Sequence, residues 1–334
     1  MIPIFNVESL SLLILSLIFI VGVALLTWGG DLLTRGSSDI AFLLKIPATI
    51  IGLTVVSMAT SMPELFTSII GTIQGRDDLV IGNIVGSNIG NLGLILGVAA
   101  IISPVLIQKR LIKWEVPFLL GVTIVFIFFA GDGVLARHEG IVLIATIVAY
   151  ILVLVRNAIE GDPDMGLTKL DEVEIGPEKR QTVPFCIFYI LIGTIMLGLG
   201  ADMMIQSATV VAHRLDLSET IIGLTIVAIG TSLPELATSI VAAIRKESDL
   251  IAGNIIGSNL FNLLLVGGAA SIVSPLNQEP MLIKFEYPVM LLLTGIVWLF
   301  YSTDKKVSRS EGIVLVLLYL LVISIIYLYR NGIL

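Results

Sequence analysis

Residues 52–104 read GLTVVSMATSMPELFTSIIGTIQGRDDLVIGNIVGSNIGNLGLILGVAAIISP, and residues 223–275 read GLTIVAIGTSLPELATSIVAAIRKESDLIAGNIIGSNLFNLLLVGGAASIVSP. The two align without a gap at an offset of 171 residues, and 29 of the 53 aligned positions are identical. Chance does not give that density, so the chain is built from an internal repeat. Each copy carries a carboxylate after Thr-Ser-x-Pro, Glu64 and Glu235, and a later Gly-Asn-x-x-Gly-Ser-Asn run. Almost everything between these polar groups is apolar.

Outside the repeat the same character holds. Of 334 residues, 56% are hydrophobic and only 13% charged, and mean hydropathy is +1.04. A soluble domain is about one quarter charged. A membrane-crossing helix needs about 20 mostly apolar residues, and the sequence offers ten such runs, predicted at Leu10–Arg35, Ala48–Gln74, Leu79–Ile102, Trp114–Ala130, Glu139–Arg156, Val183–His213, Glu219–Arg245, Leu250–Val273, Phe285–Tyr301 and Glu311–Tyr329. The expected fold is therefore an all-α polytopic membrane protein. The first run has no basic flank or small-residue cleavage site, so it is expected to be a span rather than a leader. The net charge of −7 says little about partners, because the charges fall in loops. No basic stripe suits nucleic acid, and the lone Cys186 leaves no intrachain disulfide or thiolate cluster.

The repeat extends beyond its best-matched part: Asp31 aligns with Asp202, Glu115 with Glu286 and Pro117 with Pro288. Residues 1–156 form a first five-helix repeat, 157–181 a polar acidic linker, and 182–334 a second five-helix repeat. Five is odd, so the second half enters the membrane from the opposite side. Such inverted repeats place a binding site near the midplane. Lys and Arg concentrate in the loops on the linker's side, among them Lys109, Arg110, Lys179, Arg180, Arg245 and Lys305. That bias predicts a cytoplasmic linker with both termini outside the cell membrane.

Glu64 and Glu235 lie inside apolar runs, where a charge costs about 2.5–3.5 kcal/mol on insertion scales. An ion pair would need a buried Lys or Arg, and those residues fall at helix ends or in loops. The residues leave open a cation bound between the two acids, or a protonated carboxyl. Spacing adds donors. Ser61, Glu64 and Ser68 share a helical face, as do Ser232, Glu235 and Ser239. Asn83, Ser87 and Asn91 fall at i, i+4 and i+8, repeated in Asn254, Ser258 and Asn262. These are hard oxygen donors of the kind calcium takes in sets of about six to eight. For Ser68, Ser239, Asn83 and Asn254, plain interhelical hydrogen bonding is an equal reading. Pro63 and Pro234 remove helical donors from the carbonyls of Ala59 and Gly230, leaving backbone oxygens around Ser57–Thr60 and Ala228–Thr231 for an ion or for an ordinary kink. Gly82, Gly86, Gly253 and Gly257 read as close-packing steps. Asp31 and Asp202 read as solvated helix ends. His138-Glu139 lacks the second histidine of a zinc motif, and Asp162 with Asp164 lacks the rest of a calcium loop.

At these residues the chain resembles the sodium/calcium exchanger family of the calcium/cation antiporter superfamily. Thr60-Ser61-Met62-Pro63-Glu64 and Thr231-Ser232-Leu233-Pro234-Glu235, each followed by Gly-Ser-Asn-x-x-Asn, carry the likeness across both halves. The resemblance implies a transporter rather than an enzyme, with no cofactor, calcium and sodium as transported ions, and no obligatory protein partner. It implies Glu64 and Glu235 as shared ligands and Ser61, Ser87, Ser232 and Ser258 as sodium ligands. Thr60, Thr231, Ser57 and Ala228 would offer mainly backbone oxygens, and Asn91 and Asn262 would form a central amide pair. Asn262 stands where some branches carry Asp, so potassium dependence is not expected. Exchange of three sodium ions for one calcium would move one charge per cycle, worth about 2.3 kcal/mol per 100 mV. Calcium/proton exchange is the alternative, and a gated channel is disfavoured by the duplicated halves.

Overall fold

The computed structural model describes residues 10–160, 181–215 and 228–330. The N-terminal residues, most of the predicted linker with Asp162 and Asp164, and the first part of the seventh predicted span lie outside the described residues.

The apolar runs fold as helices. α1 is Leu12–Leu44, started by Ser11, whose hydroxyl accepts from the N–H of Ile14, and ended at Lys45 with φ of 55°. α2 (Ala48–Thr60) and α3 (Met62–Ile73) form one span bent by 43° at Ser61. Pro63 sits in the first turn of α3, where a missing N–H is tolerated. α4 (Asp77–Ile102), α5 (Leu111–Asp132) and α6 (Arg137–Glu160) complete the first half. In the second half follow α7 (Val183–Arg214), α8 (Ala228–Thr231), α9 (Leu233–Ile244), α10 (Ser248–Val273), α11 (Leu282–Asp304) and α12 (Arg309–Arg330). Among the described residues, eight helices are long and apolar enough to cross a membrane, with the bent α2–α3 pair a ninth. Residues 228–244 give the end of a further apolar segment.

Burial sorts these helices. In their most apolar stretches, α4 and α10 are 78% and 83% buried, whereas α1, α6 and α7 reach only 17–22%. The two repeat-carrying helices are thus the centre, and large apolar side chains such as Leu13, Trp28, Phe128, Leu152 and Leu191 face outward from the rest. In water such a surface would aggregate; against lipid tails it has no cost.

Glycine sets the packing distances. α1 and α7 run side by side, with Gly22, Gly29 and Gly36 against the carbonyls of Gly200, Gly193 and Cys186. A Cβ at any of the three would lie 2.8–2.9 Å from those oxygens. Gly97 of α4 meets the carbonyl of Gly312 in α12, and Gly268 of α10 meets that of Gly140 in α6. Gly253 and Gly257 of α10 press on Gly52 and Leu53 of α2. Among the described residues nothing lies within 4 Å of a Cβ added at Gly82 or Gly86, so the close-packing step expected at these two is not seen there. Each of the glycine contacts that do form joins one half to the other. Two short ribbons do the same. β1 (Val105–Leu106) pairs antiparallel with β4 (Lys306–Val307), and β2 (Val134–Leu135) with β3 (Leu276–Asn277).

Three expectations change. α1 runs nine residues past Arg35, so Asp31 and Arg35 lie within a helix rather than at its end. Asp31 pairs with Arg35 at 3.0 Å and with Arg245 at the end of α9. α6 continues through 157–160, so the linker starts later than its composition suggests. One cation is buried: Arg110 Nε lies 2.8 Å from Glu115 Oε1, and Tyr150 donates to the other oxygen of Glu115 at 2.5 Å. That partner is Glu115, not Glu64 or Glu235.

The glycine contacts make a specific demand. A Cβ at Gly257 would fall 2.1 Å from Ser57 Oγ and 2.7 Å from the carbonyl of Leu53. Gly257→Ala should lower the stability of the detergent-solubilised protein by about 1–3 kcal/mol, the usual scale of overpacking. Gly121→Ala, with nothing within 4 Å, should leave the melting temperature unchanged or higher.

Candidate functional site

The bend at Ser61 and the matching break at Ser232 bring two carboxylates into the centre of the bundle. Glu64 falls in the first turn of α3 and Glu235 in the first turn of α9, where the positive end of the helix dipole favours negative charge. Both are 1% exposed.

The contacts cross between the halves. Ser61 Oγ lies 3.2 Å from Glu235 Oε1, and Ser232 Oγ lies 3.4 Å from Glu64 Oε1 and 3.2 Å from Ser87 Oγ. Each serine precedes the acid of its own half and reaches the acid of the other. Thr60 Oγ1 is 3.3 Å from Asn254 Oδ1 and 3.5 Å from Ser258 Oγ, while Thr231 Oγ1 is 3.0 Å from Asn83 Oδ1. Ser57 donates to the carbonyls of Gly52 (2.6 Å) and Asn254 (3.2 Å), so its hydroxyl is occupied and any contribution to an ion comes from its backbone. Ala228 opens the described part of the α8–α9 segment, one turn before Thr231.

The second oxygen of each acid, Oε2 of Glu64 and of Glu235, has no hydrogen-bond partner. The same holds for both side-chain atoms of Asn91 and of Asn262, which are 1% and 0% exposed. A buried polar group without a partner costs about 1–3 kcal/mol and more when charged. The Asn262 turn packs on α3 and the Asn91 turn on α9, and unsatisfied carboxylate oxygens and amides on these packed elements are what a bound cation would satisfy. No group of three or more His, Cys, Asp and Glu suited to a metal exists among the described residues. The donor set is therefore two carboxylates plus neutral oxygens, which suits sodium or calcium and not zinc or copper.

The four residues with two sequence readings divide. In the first half Asn83 is structural, with its amide 3.0 Å from Ser68 Oγ and 3.4 Å from the carbonyl of Glu64. In the second half Ser239 Oγ and Asn254 Nδ2 have no partner. Sequence reasoning also missed a distortion. Asn91 and Asn262 each open a five-residue π-helical turn, Asn91–Ile95 and Asn262–Val266. Such turns widen a helix and recur at functional sites. No residue pattern announces them beyond the repeat that places them at matching positions.

Comparison with known proteins finds relatives over most of the chain. The sequence model of the family described as sodium/calcium exchanger protein matches twice, over residues 14–156 and 185–328. A putative antiporter, CaxA of Alkalimonas amylolytica, is 34% identical over 92% of this chain and 97% of its own. The sodium/calcium exchanger MaX1 of Methanosarcina acetivorans is 31% identical, with 93% and 98% covered. Solved structures of the sodium-calcium exchanger NCX_Mj superpose with a TM-score of 0.81 at 32% identity, covering 94% of this chain and 99% of that one.

If the unpartnered oxygens await a cation, binding should be visible without transport. Calcium at about 100 times its Kd should stabilise the purified protein by about 2.7 kcal/mol, read as a rise in melting temperature. Glu64→Gln and Glu235→Gln should each abolish most of that rise while melting at or above the metal-free parent, since each removes a buried charge. A calcium-dependent rise that survives both substitutions would overturn the assignment.

Proposed function

The chain belongs to the sodium/calcium exchanger family, and from that membership we propose that it exchanges calcium for sodium across the cell membrane by alternating access. Family and fold together make it a multi-pass membrane protein and a cation antiporter. The observation that carries the finer reading is the crossed pair of buried acids, Glu64 and Glu235, each touched by the serine of the other half. Two carboxylates neutralise one calcium or two sodium ions, so the same pocket serves either ion in turn. Glu64 and Glu235 are the shared ligands in this proposal. Ser61, Ser87, Ser232 and Ser258 supply hydroxyls. Thr60, Thr231, Ser57 and Ala228 supply backbone oxygens, and Asn91 and Asn262 supply amides.

We further propose ten spans arranged as two inverted halves, 1–156 and 182–334. The ribbons support this. Halves of equal orientation would put the loop after α4 on the same side as the loop after α10, its repeat equivalent. Instead the loop after α4 pairs with the one after α11, and the loop after α10 pairs with the one after α5. The excess of Lys and Arg near Arg35, Lys109, Arg245 and Lys305 supports a cytoplasmic position for that face.

The test is coupled flux. Vesicles loaded with sodium should take up calcium, faster when the interior is made positive, since three sodium ions leaving for each calcium entering carry one net positive charge outward, and uptake should fall to background in Glu64→Gln and Glu235→Gln proteins. Calcium uptake that follows a pH gradient and ignores sodium would replace this reading with calcium/proton exchange. Calcium flux with no counter-ion dependence at all would indicate a channel.

A further inference from the structure

A line of polar groups leaves the acid pair along one side. Thr34 of α1, Thr238 and Ser239 of α9 and Asn254 of α10 line a common cleft with Ala242 and Leu250. The hydroxyls of Thr34, Thr238 and Ser239 and the amide nitrogen of Asn254 have no hydrogen-bond partner, and all four residues are at most 3% exposed. The cleft has no room for a water molecule. Four unsatisfied polar groups in a dry apolar setting are costly and rare. Asn254 accepts from Thr60 through its Oδ1, but its Nδ2 and the three hydroxyls make no bond that would account for them.

The seam is tied shut at two levels, one turn before Thr34 and one turn beyond it. Arg245 Nε donates to Asp31 Oδ1 at 2.8 Å, joining α1 to the end of α9. One helical turn beyond Thr34, Ser38 of α1 donates to Glu247 at 3.0 Å. Burial pushes the Glu247 carboxyl up from its usual range, and the Ser38 hydroxyl opposes the shift. From Glu235 to Arg245 the helix rises about 15 Å, half the hydrocarbon thickness of about 30 Å. The line therefore covers the distance from midplane to membrane surface.

Among the described residues the opposite side lacks these features. At the repeat offset, Thr34 corresponds to Ile205 and Arg245 to Gln74. Ile205 packs on Gly230, and Asp202, the counterpart of Asp31, bonds along its own helix to Gln206 at 2.6 Å. Ser68, the counterpart of Ser239, is satisfied by Asn83.

We propose that the seam between α1 and the α9–α10 pair is the path by which the ion reaches the face bearing Arg245, and that the Asp31–Arg245 clasp holds it closed. This rests on the exchanger reading above. On opening, α1 separates from α9, water enters, and the hydroxyls of Thr34, Thr238 and Ser239 replace part of the hydration shell of the passing cation.

Ala242, on the cleft wall and 2% exposed, is a neutral reporter. In a Cys186→Ala background, Ala242→Cys is exposed to a membrane-impermeant thiol reagent applied to one vesicle face at a time. Lys109→Cys, exposed and next to Gln108, which bonds Asp249 at the start of α10, marks the Arg245 face. Ala242→Cys should react only from that face, about five-fold faster after Arg245→Gln or Asp31→Asn, the scale of one partly exposed ion pair. The double substitution should add nothing further. Reaction from the opposite face, no reaction in any variant that still exchanges calcium, or rates unmoved by breaking the clasp would each overturn the proposal. Sodium-coupled calcium uptake is measured in the same vesicles. Intact uptake with an unreactive cysteine sinks the path alone, whereas absent uptake with clasp-dependent labelling sinks the exchanger reading and leaves the gate.

Discussion

Two negative charges sit where no charge is cheap, and no cationic side chain among the described residues pairs with them. Arg110 is the cation buried in the interior, and Glu115 and Tyr150 already engage its environment. Glu64 and Glu235 instead meet hydroxyls donated from the opposite half. A hydroxyl contact offsets only a fraction of the desolvation of a carboxylate. In the function proposed above, the remaining deficit is what makes the pair a binding site, since an ion arriving from water brings the compensation. Because each acid is held by the other half, neither half contains a finished site.

The packing follows the same rule. α1 lies on α7, α2 on α10, α12 on α4 and α6 on α10, and both ribbons join a loop of one half to a loop of the other. The duplication seen in the sequence is therefore a boundary of descent and not of structure. Glycine makes this possible in a membrane, where lipid tails are as apolar as leucine and close backbone approach supplies the attraction. The paired α1 and α7 are largely exposed, each only 22% buried in its most apolar stretch, and α1 is long: 33 residues span about 50 Å against a hydrocarbon core of about 30 Å. A tilted pair that touches the centre along a line of small residues is suited to slide.

Much of the centre was legible from residues alone. An acid inside an apolar run is conspicuous, and its recurrence at a fixed offset removes accident, so Glu64, Glu235 and the serines beside them stood out before any coordinates. What escaped has physical reasons. The π-helical turns at Asn91 and Asn262 arise from hydrogen-bond geometry, which leaves no trace in composition. Asp31 looked like a helix end because Arg35 and Gly36 follow it. In the fold α1 continues, since Gly36 is needed to pass the backbone of Cys186 and Arg35 is held by Asp31 four residues earlier. The pairing of Asp31 with Arg245, 214 positions away, is invisible to any local pattern.

The symmetry and its breaking do different work. In the inverted arrangement proposed above, a strictly repeated sequence would give two conformations, open to either side, of equal energy, because exchanging the shapes of the halves maps one onto the other. Alternating access needs both to be populated, and near-equality is the natural starting point for a small energy to govern. Departures from the repeat then set the bias. Arg245 against Gln74 places an ion pair at one end and none at the other, while Thr34 against Ile205 makes one path polar and its mirror apolar. An ion pair about one third exposed contributes on the order of 1 kcal/mol or less, enough to shift the two populations several-fold without trapping either. A stronger, buried clasp would hold one face shut and stop the cycle, so the exposure of Asp31 and Arg245 is a requirement of turnover and not a defect of packing.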